Sequence, residues 1–126
     1  MFKGITFLLL SITVLFIACN KDDDEQTTAQ KLMNKWSVST IVEDNNGTVS
    51  TYQAMPSDYI DYRADGKVYY NTFSSPDTFT YTILNDKYIV QDNSDTLEIK
   101  TLTSNTLVLY YHNTNNTYKY TENLFK

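Results

Sequence analysis

The chain reads as an all-β protein: a small antiparallel up-and-down β-barrel of about eight strands, preceded by one short N-terminal helix. Three observations predict this class. Tyrosine, with eleven residues in 126, and threonine are abundant, and both suit a pleated, half-buried surface. From Trp36 onward apolar residues recur with a period of two. Turn signals built from Asn, Asp, Gly and Ser divide the later chain at roughly 8–12 residue spacing, the mark of a β-sandwich or barrel. The barrel is preferred because an up-and-down sheet has two exposed edges, and closing it removes both. Eight strands leave an interior wide enough for side chains or one small ligand.

The chain begins with a secretory pattern. Lys3 supplies a positive n-region, residues 4–18 form an apolar run, and small Ala18 stands before Cys19, the sole cysteine. A run of roughly 15 residues is short for a membrane span, which needs about 20, and suits an h-region. Residues 1–18 therefore read as a signal peptide. The stretch Phe16-Ile17-Ala18-Cys19 resembles the lipobox of bacterial lipoproteins, with Phe16 in the place usually held by Leu. The resemblance implies cleavage before Cys19 and acylation of its thiol and new amino group. It also implies three acyl chains, and two or more anchor stably where one does not. The alternatives are an ordinary secretory signal with Cys19 as the first mature residue and an unusually short membrane anchor. With Cys19 acylated no thiol remains for a disulfide, and the fold holds by burial and hydrogen bonding.

Residues 19–29 follow as a tether dominated by Lys21, Asp22, Asp23, Asp24 and Glu25. Loss of residues 1–18 removes one base, Lys3, leaving nine basic and fifteen acidic residues, net −6; the tether carries −3 of this. Such a block stays extended and hydrated. As plain chemistry it is a solvated spacer. It also resembles the surface-export leader of Bacteroidetes-type lipoproteins. That resemblance implies a lipoprotein held in the outer membrane of a Gram-negative bacterium by its acyl chains and displayed at the cell surface.

Residues 30–126 amount to one small domain. A single helical stretch is predicted from Thr28 to Lys35, capped by Thr28, with Leu32 and Lys35-Trp36 turning one apolar side inward. Strands are predicted near 36–44, 47–53, 58–64, 67–74, 78–84, 87–91, 95–101, 106–112 and 117–123. Between them lie Asn45-Asn46-Gly47, Asp65-Gly66, Asn85-Asp86, Asp92-Asn93-Ser94-Asp95, Thr103-Ser104-Asn105 and Asn113-Thr114-Asn115-Asn116, residues that tolerate tight turns. Pro56 and Pro76 mark longer loops. Alternation places Phe79, Tyr81 and Ile83 on one face, and Leu97 and Ile99 on one face. The segment Thr106-Leu107-Val108-Leu109-Tyr110-Tyr111 is apolar on both faces, and Tyr118 and Tyr120 continue the rule.

A short helix, Lys35-Trp36 opening the first strand, and a meander ending in Asn105-Thr106-Leu107-Val108-Leu109 resemble the lipocalin-like domains of Bacteroidetes lipoproteins. Lipocalins open with Gly-x-Trp; here Asn34-Lys35-Trp36 stands in its place, without the Gly. The resemblance implies a barrel whose floor is closed by Trp36. It also implies a late basic residue over that ring, for which Lys119 is the candidate, since Arg63 falls mid-chain.

Catalytic chemistry has little to work with. His112 is the sole histidine and falls at a strand end, no serine sits in an elbow, and no free thiol remains. Glu43, Asp44, Asp58, Asp61, Asp65, Asp92 and Asp95 are carboxylates, but Asp58 and Asp61 are three apart on one predicted strand and face oppositely. Asp92-x-Ser94-Asp95 lacks the Gly and distant Glu of a calcium loop and reads as a polar turn. No metal or cofactor is expected, and no nucleic-acid partner is expected of an acidic chain with one Arg and no basic stripe, which phosphate repels.

Binding has the most material. In the pairs Tyr69-Tyr70 and Tyr110-Tyr111 one ring faces in and one out. Trp36, Tyr70, Phe79, Tyr81, Leu97, Ile99, Leu109 and Tyr118 are expected to face a cavity or the core. The expected function is a monomeric, non-enzymatic, lipid-anchored module that holds a small apolar or amphipathic ligand inside the barrel. The alternative is a surface adhesion or accessory lipoprotein whose exterior meets glycan, peptide or an envelope protein.

Overall fold

The computed structural model describes residues 26–126. Cys19, the leader residues Lys21, Asp22, Asp23, Asp24 and Glu25, and the signal segment lie outside the described residues. Among the described residues no helix is long and apolar enough to cross a membrane.

One turn of helix, α1 (Thr28–Leu32), comes first. Its cap is Thr27 and not the expected Thr28. The Thr27 hydroxyl accepts from the Gln30 N–H while the Gln30 side chain accepts from the Thr27 N–H, a reciprocal box. The helix stops before the expected Lys35 because the Asn34 N–H turns back to the Leu32 carbonyl and its side-chain amide donates to the Lys31 carbonyl. Lys35 and Trp36 thereby belong to the first strand.

Nine antiparallel strands follow: β1 (Lys35–Asn45), β2 (Thr48–Gln53), β3 (Tyr59–Tyr62), β4 (Lys67–Thr72), β5 (Ser75–Leu84), β6 (Tyr88–Gln91), β7 (Asp95–Leu102), β8 (Thr106–His112) and β9 (Tyr118–Phe125). Eight of them close a ring in the order β1-β3-β4-β5-β6-β7-β8-β9, with β9 returning to β1 along a ladder from Ser37–Phe125 to Asn45–Tyr118. This is the closed barrel that the edge argument favours. β2 is the extra strand. It shares one edge of β1 with β3: residues 35–37 of β1 pair with β3 and residues 40–45 pair with β2. The outer flank of β2 has no strand partner among the described residues, and Tyr52 meets Phe73 there with ring centroids 4.0 Å apart.

The predicted turns hold the expected left-handed residues: Asn46 with Gly47, Gly66, Asn85 with Asp86, Asp92 with Asn93, and Asn116 all have positive φ. One turn differs from expectation. A loop was predicted around Pro76, but β4 and β5 are joined directly by Phe73 and Ser74, at φ 54° and 58°. Pro76 lies inside β5, opposite Asn71. Thr72 and Ser75 close the turn as a hydrogen-bonded pair, so Pro76 falls at the next, non-hydrogen-bonded position against β4. Its other side is open, because β6 pairs only with residues 81–84 of β5, and the missing N–H costs the ladder nothing.

Two bulges set which residues face inward. One residue extra at Ser39 and one at Lys100 shift the phase of β1 and β7. Trp36 and Val38 are thus followed inward by Ile41, and Leu97 and Ile99 by Leu102. The dry core gathers at one end of the barrel, where Leu32, Trp36, Ile60, Val68, Leu107 and Leu124 are buried. Burial of each such side chain contributes roughly 1.5–3 kcal/mol.

Candidate ligand-binding cavity

The core end is sealed. α1 lies across it, and the buried Trp36 donates from Nε1 to the Leu32 carbonyl at 3.0 Å, tying ring to helix. A base does cover this ring, but it is Lys126, whose Nζ lies 4.8 Å from the ring centroid. Lys119, the expected residue, instead sits 3.9 Å from Asp44 on the β1–β9 wall. Lys119 pairs with Asp44 in the ladder toward the opposite end of β1, too far along the strand to reach Trp36.

Above the dry layer the interior becomes polar. Gln91 Nε2 donates to the Tyr70 hydroxyl at 2.8 Å. Tyr62 packs edge-on against Tyr81, centroids 5.0 Å apart; the Tyr81 hydroxyl leads away from this layer and donates at 2.9 Å to the carbonyl of exposed Arg63 in the β3–β4 turn. Among the described residues two buried side-chain atoms have no partner, and both lie in this layer: Tyr62 Oη and Glu122 Oε2. Burial pushes the Glu122 carboxyl up to about 8. Burial first, then the neighbouring Glu122, raises the hydroxyls of Tyr62, Tyr70 and Tyr120 above the ordinary tyrosine range.

The opposite end is open. A cavity of about 310 Å³ lies there, lined by Tyr70, Thr72, Phe73, Ser75, Asp77, Phe79, Gln91, Asp95 and Tyr120. Its volume is at the small end of the range for ligand pockets. Four elements position its rings. Tyr70 on β4 and Phe79 on β5 meet edge-on at 5.5 Å. Phe73 is presented by the left-handed β4–β5 turn, and Tyr120 by β9, stacked on Tyr111 at 5.0 Å. A second, polar groove of about 340 Å³ runs between the β6–β7 and β8–β9 turns and includes Asp95, Tyr111 and His112.

The sequence-predicted residues distribute over three levels. Tyr70 and Phe79 line the cavity. Tyr81 and Ile99 pack against the core, where Leu97 and Leu109 are fully buried, and Trp36 is the floor. Tyr118 is half-buried and donates to Glu43 at 3.2 Å. Sequence reasoning missed Thr72, Phe73, Ser75, Asp77, Gln91, Asp95 and Tyr120 in the wall, and Glu122 beneath them. The alternation from Tyr118 to Tyr120 already carries the signal for Glu122, since the next inward position is the acid.

Other polar residues have structural work. Asp58 is buried and lies before β3 rather than on it; its Oδ2 accepts from the Tyr52 hydroxyl at 2.7 Å and the Met55 N–H at 2.8 Å. Asp61 meets Arg63 at 2.7 Å. Asp92 accepts from the N–H and hydroxyl of Thr80. His112 is exposed, with Nδ1 3.0 Å from the Asn113 carbonyl oxygen. Among the described residues no group of three or more His, Cys, Asp or Glu is placed to hold a metal. Four tyrosines outside the cavity wall carry a base over the ring: Lys35 on Tyr59, Arg63 on Tyr69, Lys87 on Tyr88 and Lys100 on Tyr110.

A closed meander, plugged by helix and tryptophan at one end and open to an aromatic cup at the other, defines a calyx-type β-barrel. A family model described as a lipocalin-like domain matches residues 32–109, the span from the end of α1 into β8. The chain belongs to this lipocalin-like domain family. No curated protein and no solved structure matches the chain.

Proposed function

We propose that this protein is a non-enzymatic binding module, a lipoprotein anchored through acylated Cys19, whose barrel takes a small apolar or amphipathic ligand into its open end. The observation that carries the binding is the aromatic cavity of about 310 Å³ above the polar layer. Rings on three walls supply apolar contact, while Gln91 and the tyrosine hydroxyls supply a few directed polar groups. The anchor and the outer-membrane, cell-surface address rest on the lipobox-like residues 16–19 and on the acidic leader Lys21 to Glu25. The reading in which the exterior recognises glycan, peptide or an envelope partner has less material. Bases already cover Tyr59, Tyr69, Tyr88 and Tyr110.

Native mass spectrometry of residues 20–126, which carry no acyl chain and need no detergent, tests the binding. A co-purifying small molecule that is lost in a Phe79→Ala, Tyr120→Ala variant is the expected result. Full occupancy in that variant moves the ligand elsewhere. Intact mass of membrane-extracted protein tests the anchor, and an unmodified thiol at Cys19 removes it.

A further inference from the structure

The cavity is chemically one-sided. Its rim carries Asp77 and Asp95, its walls carry four aromatic rings, and among the described residues no Lys, Arg or His lines it. The Thr78 N–H donates to Asp77 Oδ1 at 2.8 Å, which orients that carboxylate without neutralising it. One layer deeper stands Glu122, 5 % exposed, with Oε2 unpartnered. It lies two residues after Tyr120 on the same strand, hence on the same inward face, and Tyr120 is part of the cavity wall. Its charge is felt by the hydroxyls of Tyr70 and Tyr120, both in that wall. An unpaired buried carboxyl costs stability and needs a reason to be there.

We infer that the cavity receives a small amphipathic organic cation, an amine or quaternary ammonium on a short apolar body. Asp77, Asp95 and Glu122 hold its charge, and Phe73 and Phe79 its body. This deepens the reading of the cavity as the ligand site and rests on it. An anionic headgroup would meet the carboxylates of Asp77 and Asp95 with no base beside them, whereas a cation meets acids and the negative faces of aromatic rings together.

The groups facing Glu122 are all acidic or neutral. They are Tyr62 from β3, Tyr70 from β4 and Tyr120 from its own strand, with Gln91 bonded to Tyr70, and Ile41 and Leu109 as its ladder neighbours on β1 and β8. Burial keeps the Glu122 proton on up to about pH 8. Below that pH, docking a permanent cation drives the proton from Glu122 to solvent and leaves a carboxylate beside the ammonium. Binding therefore releases a proton and tightens as pH rises.

Titration calorimetry on the full chain with hexyltrimethylammonium, hexan-1-ol and hexanoate, at about pH 6 and about pH 8.5, tests this. The cation is expected to bind about tenfold or more tighter than the alcohol, with hexanoate weakest. Its affinity is expected to rise about tenfold between the two pH values, with proton uptake by the buffer. Glu122→Gln is expected to abolish that rise and leave the alcohol unaffected. Asp95→Asn, a rim change outside the core, is expected to weaken the cation alone. Equal affinity for cation and alcohol overturns the charge inference and leaves the ligand site standing. Failure of all three probes to bind overturns both. A pH rise that survives Glu122→Gln excludes Glu122 from the site.

Discussion

Glu122 sits in surroundings its ionised form does not tolerate, and that sets a measurable dependence on pH. Unfolded, it titrates near the ordinary 4.5; folded, it keeps its proton to about 8. Its contribution to stability is fully present below about 4.5 and is lost as pH rises through about 8, because the folded state binds more protons over that window. Glu122→Gln removes the loss. At pH 8.5 the variant is expected to be more stable than the parent by roughly 2–4 kcal/mol, with the difference vanishing near pH 4.5, as read by urea unfolding at the two pH values. Asp58 is the opposite case, a buried acid with its partners in place. Asp58→Ala strands the Tyr52 hydroxyl and the Met55 N–H, and is expected to cost about 2–3 kcal/mol in the same assay. At this scale alternation was a good guide for Tyr70 and Phe79, which it placed inward. It carried no information about the Tyr52–Asp58 lock, because a hydrogen bond across an irregular loop leaves no period in the sequence.

The elements were legible where local chemistry decides them. Asn-Gly, Asp-Gly and Asn-Asp pairs tolerate positive φ, and the turns fell on them. The β4–β5 turn escaped because Phe73 and Ser74 adopt the same conformation against their preference. Phe73 is held by the Tyr52 ring, a contact between residues twenty-one apart that no turn signal encodes. A left-handed non-glycine residue costs about 1–2 kcal/mol. Ser74→Gly relieves this at some cost in unfolded-chain entropy. It is expected to stabilise by roughly 0.5–1 kcal/mol, visible as a higher melting temperature. The extent of α1 was overestimated because the Thr27–Gln30 box and the Asn34 reversal fix its ends more tightly than apolar spacing does. The bulges at Ser39 and Lys100 were invisible as well. Each is a one-residue insertion relative to a partner strand, and a single strand does not declare its partner.

For the molecule as a whole, closure was predictable from strand number and the need to remove edges, while the composition of the open end was not. That end is assembled from β4, β5, β6, β7 and β9, and only the register brings Asp77, Asp95 and Tyr120 together. The sealed end depends on one residue. Trp36→Ala empties the floor and frees the Leu32 carbonyl, and is expected to destabilise by about 3–5 kcal/mol by denaturant titration. The ring has a further consequence, in time rather than in space. β1 is flanked on one side by β2, which it meets at once, and on the other by β9, which follows some eighty residues later. Each hairpin can form as it is synthesised, but the cylinder cannot shut before its last stave arrives. Such late, long-range pairing slows folding, because the entropy of closing a loop of about eighty residues is lost before the β1–β9 ladder returns any contact.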